Sequence, residues 1–378
     1  MKPSSRFKTL PAKDTRRILL SLALASLCFG TASRLAADTD VLRRYQQTNL
    51  VSDVPGLAAV TDPNLVNAWG LSRSTTSPWW VADNGTGLST LYDGAGNIQS
   101  LVVTIPNVPG VTDPSAPTGT VFNGSATDFL VAPGKPAHFL FDTEEGTISA
   151  WNSGTAAVLM VNNSATAVYK GLTLATNGTA NLLYAANFKA RKVDVFDGTF
   201  TPVNLGPDAF RDRRLPRDFG PFGIQVIGSS IYVAFAQTQP GSIDEVHGPG
   251  RGAVDVFSTA GKLQKRLEWG PWFNAPWGLA LAPAGFGIAS NRILVGQFGS
   301  GKIATFDATS GRFTGLLRGA KGRPLVIEGL WALSFGNGAK AGPATTLFFS
   351  AGPDDEAHGL FGTLTPMPDG DNDADDGN

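Results

Sequence analysis

The sequence is poor in sulfur, histidine and charge, and each shortage removes a class of protein. Its one cysteine, Cys28, lies in the first thirty residues, so no disulfide can form within the chain and stability must come from a packed core. Only 16% of residues are charged and three are histidine. There is no Gly-x-Ser-x-Gly elbow, no His-Glu-x-x-His helix motif, no phosphate-binding loop and no cysteine nucleophile in the body of the chain. The common hydrolase and nucleotide-binding readings lose their support. No basic stripe suited to nucleic acid is present. After the first thirty residues no apolar run approaches the roughly 20 residues that a transmembrane helix needs.

The start of the chain reads as an export signal. Lys2, Arg6, Lys8, Lys13, Arg16 and Arg17 precede an apolar run from Ile18 to Gly30, and Gly30-Thr31-Ala32 supplies small residues for cleavage. The expectation is a signal peptide over 1–32 and a periplasmic or secreted mature protein without a transmembrane segment. Removing those six basic residues and Asp14 from totals of 30 Lys+Arg and 31 Asp+Glu leaves a net charge of about −6. Asp369, Asp371, Asp373, Asp375 and Asp376 carry five of those charges, and the stretch 367–378 reads as a disordered acidic tail.

What is plentiful is glycine, at 45 residues, and proline, at 25, between short β-branched and aromatic runs. That composition points to an all-β fold. A turn into a short apolar strand recurs as Ala68-Trp69-Gly70-Leu71, Pro117-Thr118-Gly119-Thr120, Tyr169-Lys170-Gly171-Leu172, Pro221-Phe222-Gly223-Ile224, Pro276-Trp277-Gly278-Leu279 and Leu330-Trp331-Ala332-Leu333. The small residues of successive units are 49, 52, 52, 55 and 54 positions apart. A period of about 50 residues, each with three or four strands, predicts a six-bladed β-propeller over 33–366. The small residue fits the crowding of inner strands around the channel. Tyr45 to Val51 is expected to pair near Leu360 to Leu364 and clasp the ring. Gly206 to Gly220, with Arg and Asp interleaved, reads as a polar connection between blades three and four, with an anion-binding lid as its functional alternative.

Several long motifs carry a family resemblance: Val51-Ser52-Asp53, Thr61 to Leu71, Val81-Ala82-Asp83-Asn84-Gly85-Thr86-Gly87, Ala275 to Pro283, Gly329 to Gly338 and His358 to Gly362. They resemble a family of exported bacterial proteins of unknown function defined only by a family-level sequence model, over residues 41 to 366. The resemblance implies NHL-like blades and brings no established activity.

Candidate site residues follow from blade geometry. Asp62, Asn64 and Asn67 precede the first inner strand, Asp83 and Asn84 end the second strand of that blade, and Asn187 and Gln297 hold matching places in blades three and five. With His358, which follows Asp354-Asp355-Glu356, these are the channel-mouth candidates. Oxygen ligands of this kind suit a divalent cation such as calcium, with Asp62, Asp83, Asn187 and His358 as the metal set; the competing reading is that Asp and Asn form tight turns. His138 and His247 complete the histidines. Glu144 and Glu145 read as an exposed turn, because adjacent strand residues face opposite ways. Trp69, Trp277 and Trp331 occupy the repeat position and read as packing, whereas Trp79, Trp80, Trp269 and Trp272 fall outside it and are placed to reach a ligand. The leading functional expectation is a propeller that binds a small molecule or a protein at its channel mouth. The alternatives are a metal-dependent hydrolase or lyase of the lactonase-like propeller type and a cell-envelope scaffold.

Overall fold

A computed structural model describes residues 42–368. The expected leader at 1–32 and the tail beyond 368 lie outside the described residues. Six antiparallel sheets form the blades of a propeller. Blade one contains Ala68–Ser72, Trp79–Asp83, Leu88–Tyr92 and Val103–Thr104. Blade two contains Pro117–Phe122, Phe139–Thr143, Thr147–Trp151 and Val158–Asn162. Blade three has three strands, Tyr169–Thr176, Asn181–Asn187 and Lys192–Phe196. Blade four contains Phe219–Ile227, Ser230–Thr238, Gly252–Phe257 and Leu263–Arg266, and blade five Pro276–Leu281, Arg292–Gln297, Ile303–Asp307 and Phe313–Leu316. Blade six takes Leu330–Phe335, Leu347–Ala351 and Leu360–Met367 from the end of the chain and Arg44–Ser52 from its beginning.

That last pairing is the clasp. Arg44–Ser52 runs antiparallel to Leu360–Met367, from Arg44 against Met367 to Ser52 against Leu360. Met367, placed in the tail by the sequence, is therefore a strand residue. Between Gly206 and Gly220 no helix forms, and Asp212 ties the connection to Arg266 of blade four.

The recurring aromatic and small pair has a structural cause. In every blade the register between the inner and second strands shifts at this pair, as between Ala68 and Leu71 or between Pro276 and Leu279. The bulge turns the aromatic residue to the axis and presses the small one against the next blade. A Cβ on Gly70 would lie 2.6 Å from the Thr118 carbonyl oxygen, and Gly119, Gly223 and Gly278 meet the next inner strand in the same way. Apolar residues of adjacent blades pack face to face, as Leu140, Ile148 and Ala150 do with Tyr169, Leu183 and Ala185. Burying such side chains contributes about 1.5–3 kcal/mol each.

At the axis, the residues preceding the small ones are Trp69, Thr118, Lys170, Phe222, Trp277 and Trp331. Trp331 stacks on Trp69 with centroids 3.6 Å apart and on Phe298 at 3.9 Å. The aromatic plug fills the centre, leaving a cavity of about 30 Å3 lined by Gly70, Gly119, Leu172, Gly278 and Leu333 among others, room for about two waters.

Candidate functional site at the channel mouth

Every inner strand starts at the face of the propeller that also carries the turns from second to third strands. Residues just before the inner strands, at their first positions and in those turns therefore converge at one mouth. Two of the six axial positions break the aromatic pattern, Thr118 and Lys170. Lys170 is 1% exposed. Its ammonium donates to Glu144, lies 5.1 Å above the Trp69 ring and stands 3.9 Å from Asp244. Burial alone would lower its pKa, but the Glu144, Glu245 and Asp244 carboxylates reverse that and hold it protonated.

From Lys170 a hydrogen-bonded arc crosses four blades. Glu144 Oε2 accepts from Asn84 Nδ2 at 3.0 Å. Asn67 Nδ2 donates to Asn84 Oδ1 at 3.0 Å and to Glu356 Oε2 at 2.7 Å. Trp331 Nε1 donates to Asn67 Oδ1 at 3.0 Å, which fixes the amide orientation from the plug below. Glu356 comes from a turn in which Asp354, Asp355 and Glu356 have φ of 58°, 50° and 68°. Three successive non-glycine residues in the left-handed region cost about 1–2 kcal/mol each, a strain of the kind that collects at functional sites. Burial, together with Glu245 and Glu144, pushes the Glu356 carboxyl up to about 7, against the opposing Asn67 hydrogen bond and Lys170 charge. Across the mouth, His247 pairs with Glu245 at 2.8 Å and its ring meets Phe298 edge-on. That hydrogen bond raises the His247 pKa, and Glu356 and Asp355 add to the rise.

Of the eight mouth candidates, Asn67 and Asn84 join this arc. The others turn to their own surroundings. Asp62 accepts from Tyr92 Oη at 2.8 Å and from the Asn64 amide at 3.0 Å, and the Asn64 carbonyl accepts from Thr86. Asp83 is fully buried and accepts from the Thr90 amide at 2.9 Å. Asn187 donates to Asp194 and accepts from the Ala190 amide. Gln297 bonds the Asn274 amide and the Val295 carbonyl. His358 pairs through Nδ1 with Asp53 at 2.8 Å, and its carbonyl accepts from the Asn67 amide. The proposed metal set Asp62, Asp83, Asn187 and His358 is thus engaged with these separate partners. Among the described residues, no group of three or more His, Asp or Glu side chains is gathered to hold a metal ion.

Two other expectations change. Glu144 is no exposed turn residue: it points into the arc, while Glu145 accepts from the Ala116 amide. Trp79 and Trp80 are core residues, Trp79 donating to the Ala341 carbonyl at 2.9 Å and Trp80 stacking on Phe139. Trp272 lies flat on Phe313, and Trp269 alone of the four is half exposed. Sequence reasoning missed Lys170 and named Glu356 only as an acidic neighbour of His358. The visible signal was Lys170, a basic residue in a repeat position otherwise filled mainly by aromatic residues.

The fold and site define a six-bladed propeller with a polar cluster over an aromatic plug. An uncharacterized protein of Acanthamoeba polyphaga mimivirus is 32% identical over 327 residues, covering 83% of this chain and 84% of its own length, and a second is 30% identical over 331 residues, covering 83% and 78%. The chain belongs to the family of these two viral proteins. No family model matches it. The resemblance to a bacterial family defined by such a model is therefore corrected: the relatives that match are viral. Among solved structures, a streptogramin B lyase aligns with TM-score 0.49 at 13% identity over 85% of this chain and 97% of its own. Virginiamycin B lyase from Staphylococcus aureus aligns with TM-score 0.48 at 13% identity, over 86% and 99%. No helix among the described residues is long and apolar enough to cross a membrane.

Proposed function

We propose that this protein is an exported propeller, periplasmic or secreted, that binds a small polar molecule at the channel mouth without covalent chemistry. One observation carries the reading: five polar side chains from four blades, Lys170 among them, form a continuous hydrogen-bonded arc that starts at a buried ammonium. A propeller needs only an apolar plug there, and Trp69, Phe222, Trp277 and Trp331 show that rings fit the position. A buried ion pair is weak evidence for stability, so its presence at the one place where the blades converge speaks for recognition. The basic start and the apolar run from Ile18 to Gly30 support export.

A thermal-shift panel of small amines, sugars and hydroxy acids tests the reading. At about a hundred times its Kd, a ligand confined to the folded state adds about 2.7 kcal/mol. At least one compound should raise the melting temperature of the wild type and fail to raise that of Asn84→Leu. A panel with no stabilising compound, or equal shifts in both proteins, contradicts it.

The pKa shifts also fix the direction of pH dependence. Burial pushes the Asp142 carboxyl up to about 7, opposed by the Gly119 amide and Thr118; burial and then Asp212 push Asp255 up to about 8. With Glu356, these groups keep protons in the folded state that the unfolded chain has already lost near pH 4. The folded state binds more protons through that window, so the stability these groups contribute is full below about pH 4 and falls as pH rises toward 8. The raised His247 acts in the same direction. Calorimetry should show a higher melting temperature at pH 5 than at pH 8.5, and Asp142→Asn should flatten the slope.

A further inference from the structure

The turn from second to third strand is not uniform around the ring. Blades one and two make it within Asn84–Gly87 and Glu144–Gly146, whereas blade four spends thirteen residues between Thr238 and Gly252. This long segment folds back over the mouth. Glu245–Val246 pairs with Gln237 and Thr238, so its rim is anchored by two residue pairs. Gly241, at φ 82°, and Gly248, at φ 144°, stand at either end of the part that overhangs, in conformations that other residues rarely adopt. Gly248 is tied to Asn274 at 2.6 Å.

What the segment covers comes from the other blades. Glu245, with a side chain 5% exposed, and Asp244 act on Lys170 of blade three; His247 meets Phe298 of blade five and feels Glu356 of blade six. Within the overhang the bonds are local, Ser242 to Gln239 and Asp244 to Ser242, and Ile243 at the tip is 49% exposed. The connection from the tip to the opposite side of the mouth is therefore electrostatic: the carboxylates of Asp244 and Glu245 share the single ammonium of Lys170 with Glu144. Without that charge, Glu245 would face Glu144 and Glu356 with only its own neighbour His247 to offset the repulsion.

We propose that Gln239–Gly248 is a lid, closed in this structure and latched over the mouth by the charge of Lys170. It admits and then covers whatever the mouth receives, and segments that move in this way are drawn from the less stable parts of a fold. The inference goes beyond the binding reading, and its test uses ligand-free protein, so it succeeds or fails independently of whether a ligand is found.

Hydrogen exchange of the amides from Ser242 to His247 is the readout, with Ser230 to Ala236 of the same blade as the internal reference. Lys170→Met should raise lid exchange about tenfold, with the lid still exchanging faster than the reference strand, whose amides open only with the whole fold. Asp244→Lys, at a side chain 72% exposed and safe for folding, should raise it about threefold, and about 0.5 M salt should shrink that rise. If Lys170→Met fails to fold, the Asp244→Lys result decides. Wild-type exchange rates in the folded variants, or a wild-type lid that already exchanges as unprotected chain, would overturn the latch.

Discussion

Lys170→Met is expected to cost about 3–5 kcal/mol of folding stability, the range for removing one partner of a buried ion pair. The loss comes from what remains. Glu144, with a side chain 15% exposed, would keep its charge beside Glu245 and Glu356 with no ammonium among them. Methionine itself is welcome at the site, because the equivalent positions carry Trp69, Phe222, Trp277 and Trp331 in one aromatic cluster. The rescue separates charge from packing: Glu144→Gln keeps an acceptor for Asn84 and removes the orphaned charge, so the double variant should regain most of the loss. Urea unfolding of the two single variants and the double gives the coupling energy directly. A Lys170→Met protein as stable as the wild type would mean that the mouth is open enough for water to solvate Glu144, contrary to the burial described.

A chain beginning at Asp53 should lose cooperative folding altogether. It lacks Arg44–Ser52, the fourth strand of blade six, and with it the pairing that joins the two ends of the ring. Tyr45 and Val51, both almost fully buried, leave the core. The Tyr45 hydroxyl, which bonds the Phe286 carbonyl at 2.9 Å and the Ala289 amide at 3.1 Å, no longer holds blade five to blade six. Leu360–Met367 becomes a bare edge with Phe361 and Leu364 exposed, a template for aggregation. Far-UV circular dichroism during heating should show no sharp transition, and size exclusion should show large species. A monomer with a single sharp melt would show that five blades and a partial sixth suffice.

Much of the fold was legible because the repeat records a local requirement. The inner strand of each blade bulges where the next blade's backbone comes close; a Cβ at Gly70, Gly119, Gly223 or Gly278 would collide with it, and together with Gly171 and Ala332 these small residues mark the blades at near-constant spacing. The clasp was legible because Tyr45 to Val51 is strand-like and stands ahead of the first repeat; in the structure only its end also pairs locally, Val51 with Val60. The site was legible only in part. Asn67 and Asn84 flank one blade and could be placed at its mouth, but nothing in spacing distinguishes an Asn that faces the mouth from Asn187, whose amide closes its own turn. The rest of the arc comes from remote blades. Glu144, Lys170 and Glu356 meet only because the ring closes, and no local pattern links them. Trp79 and Trp80 misled for the opposite reason: outside the repeat position a tryptophan can still fill the space between blades, as their contacts with Ala341 and Phe139 show.

Recognition at the channel mouth is tested most directly by equilibrium dialysis. Wild type and Asn84→Leu would be dialysed against the same mixture of small polar metabolites, and the retained compounds identified by mass spectrometry. Retention of at least one compound by the wild type near one per chain, lost in the variant, is the predicted result. Retention by neither protein, or equally by both, would contradict it and leave the arc as a feature of the fold alone.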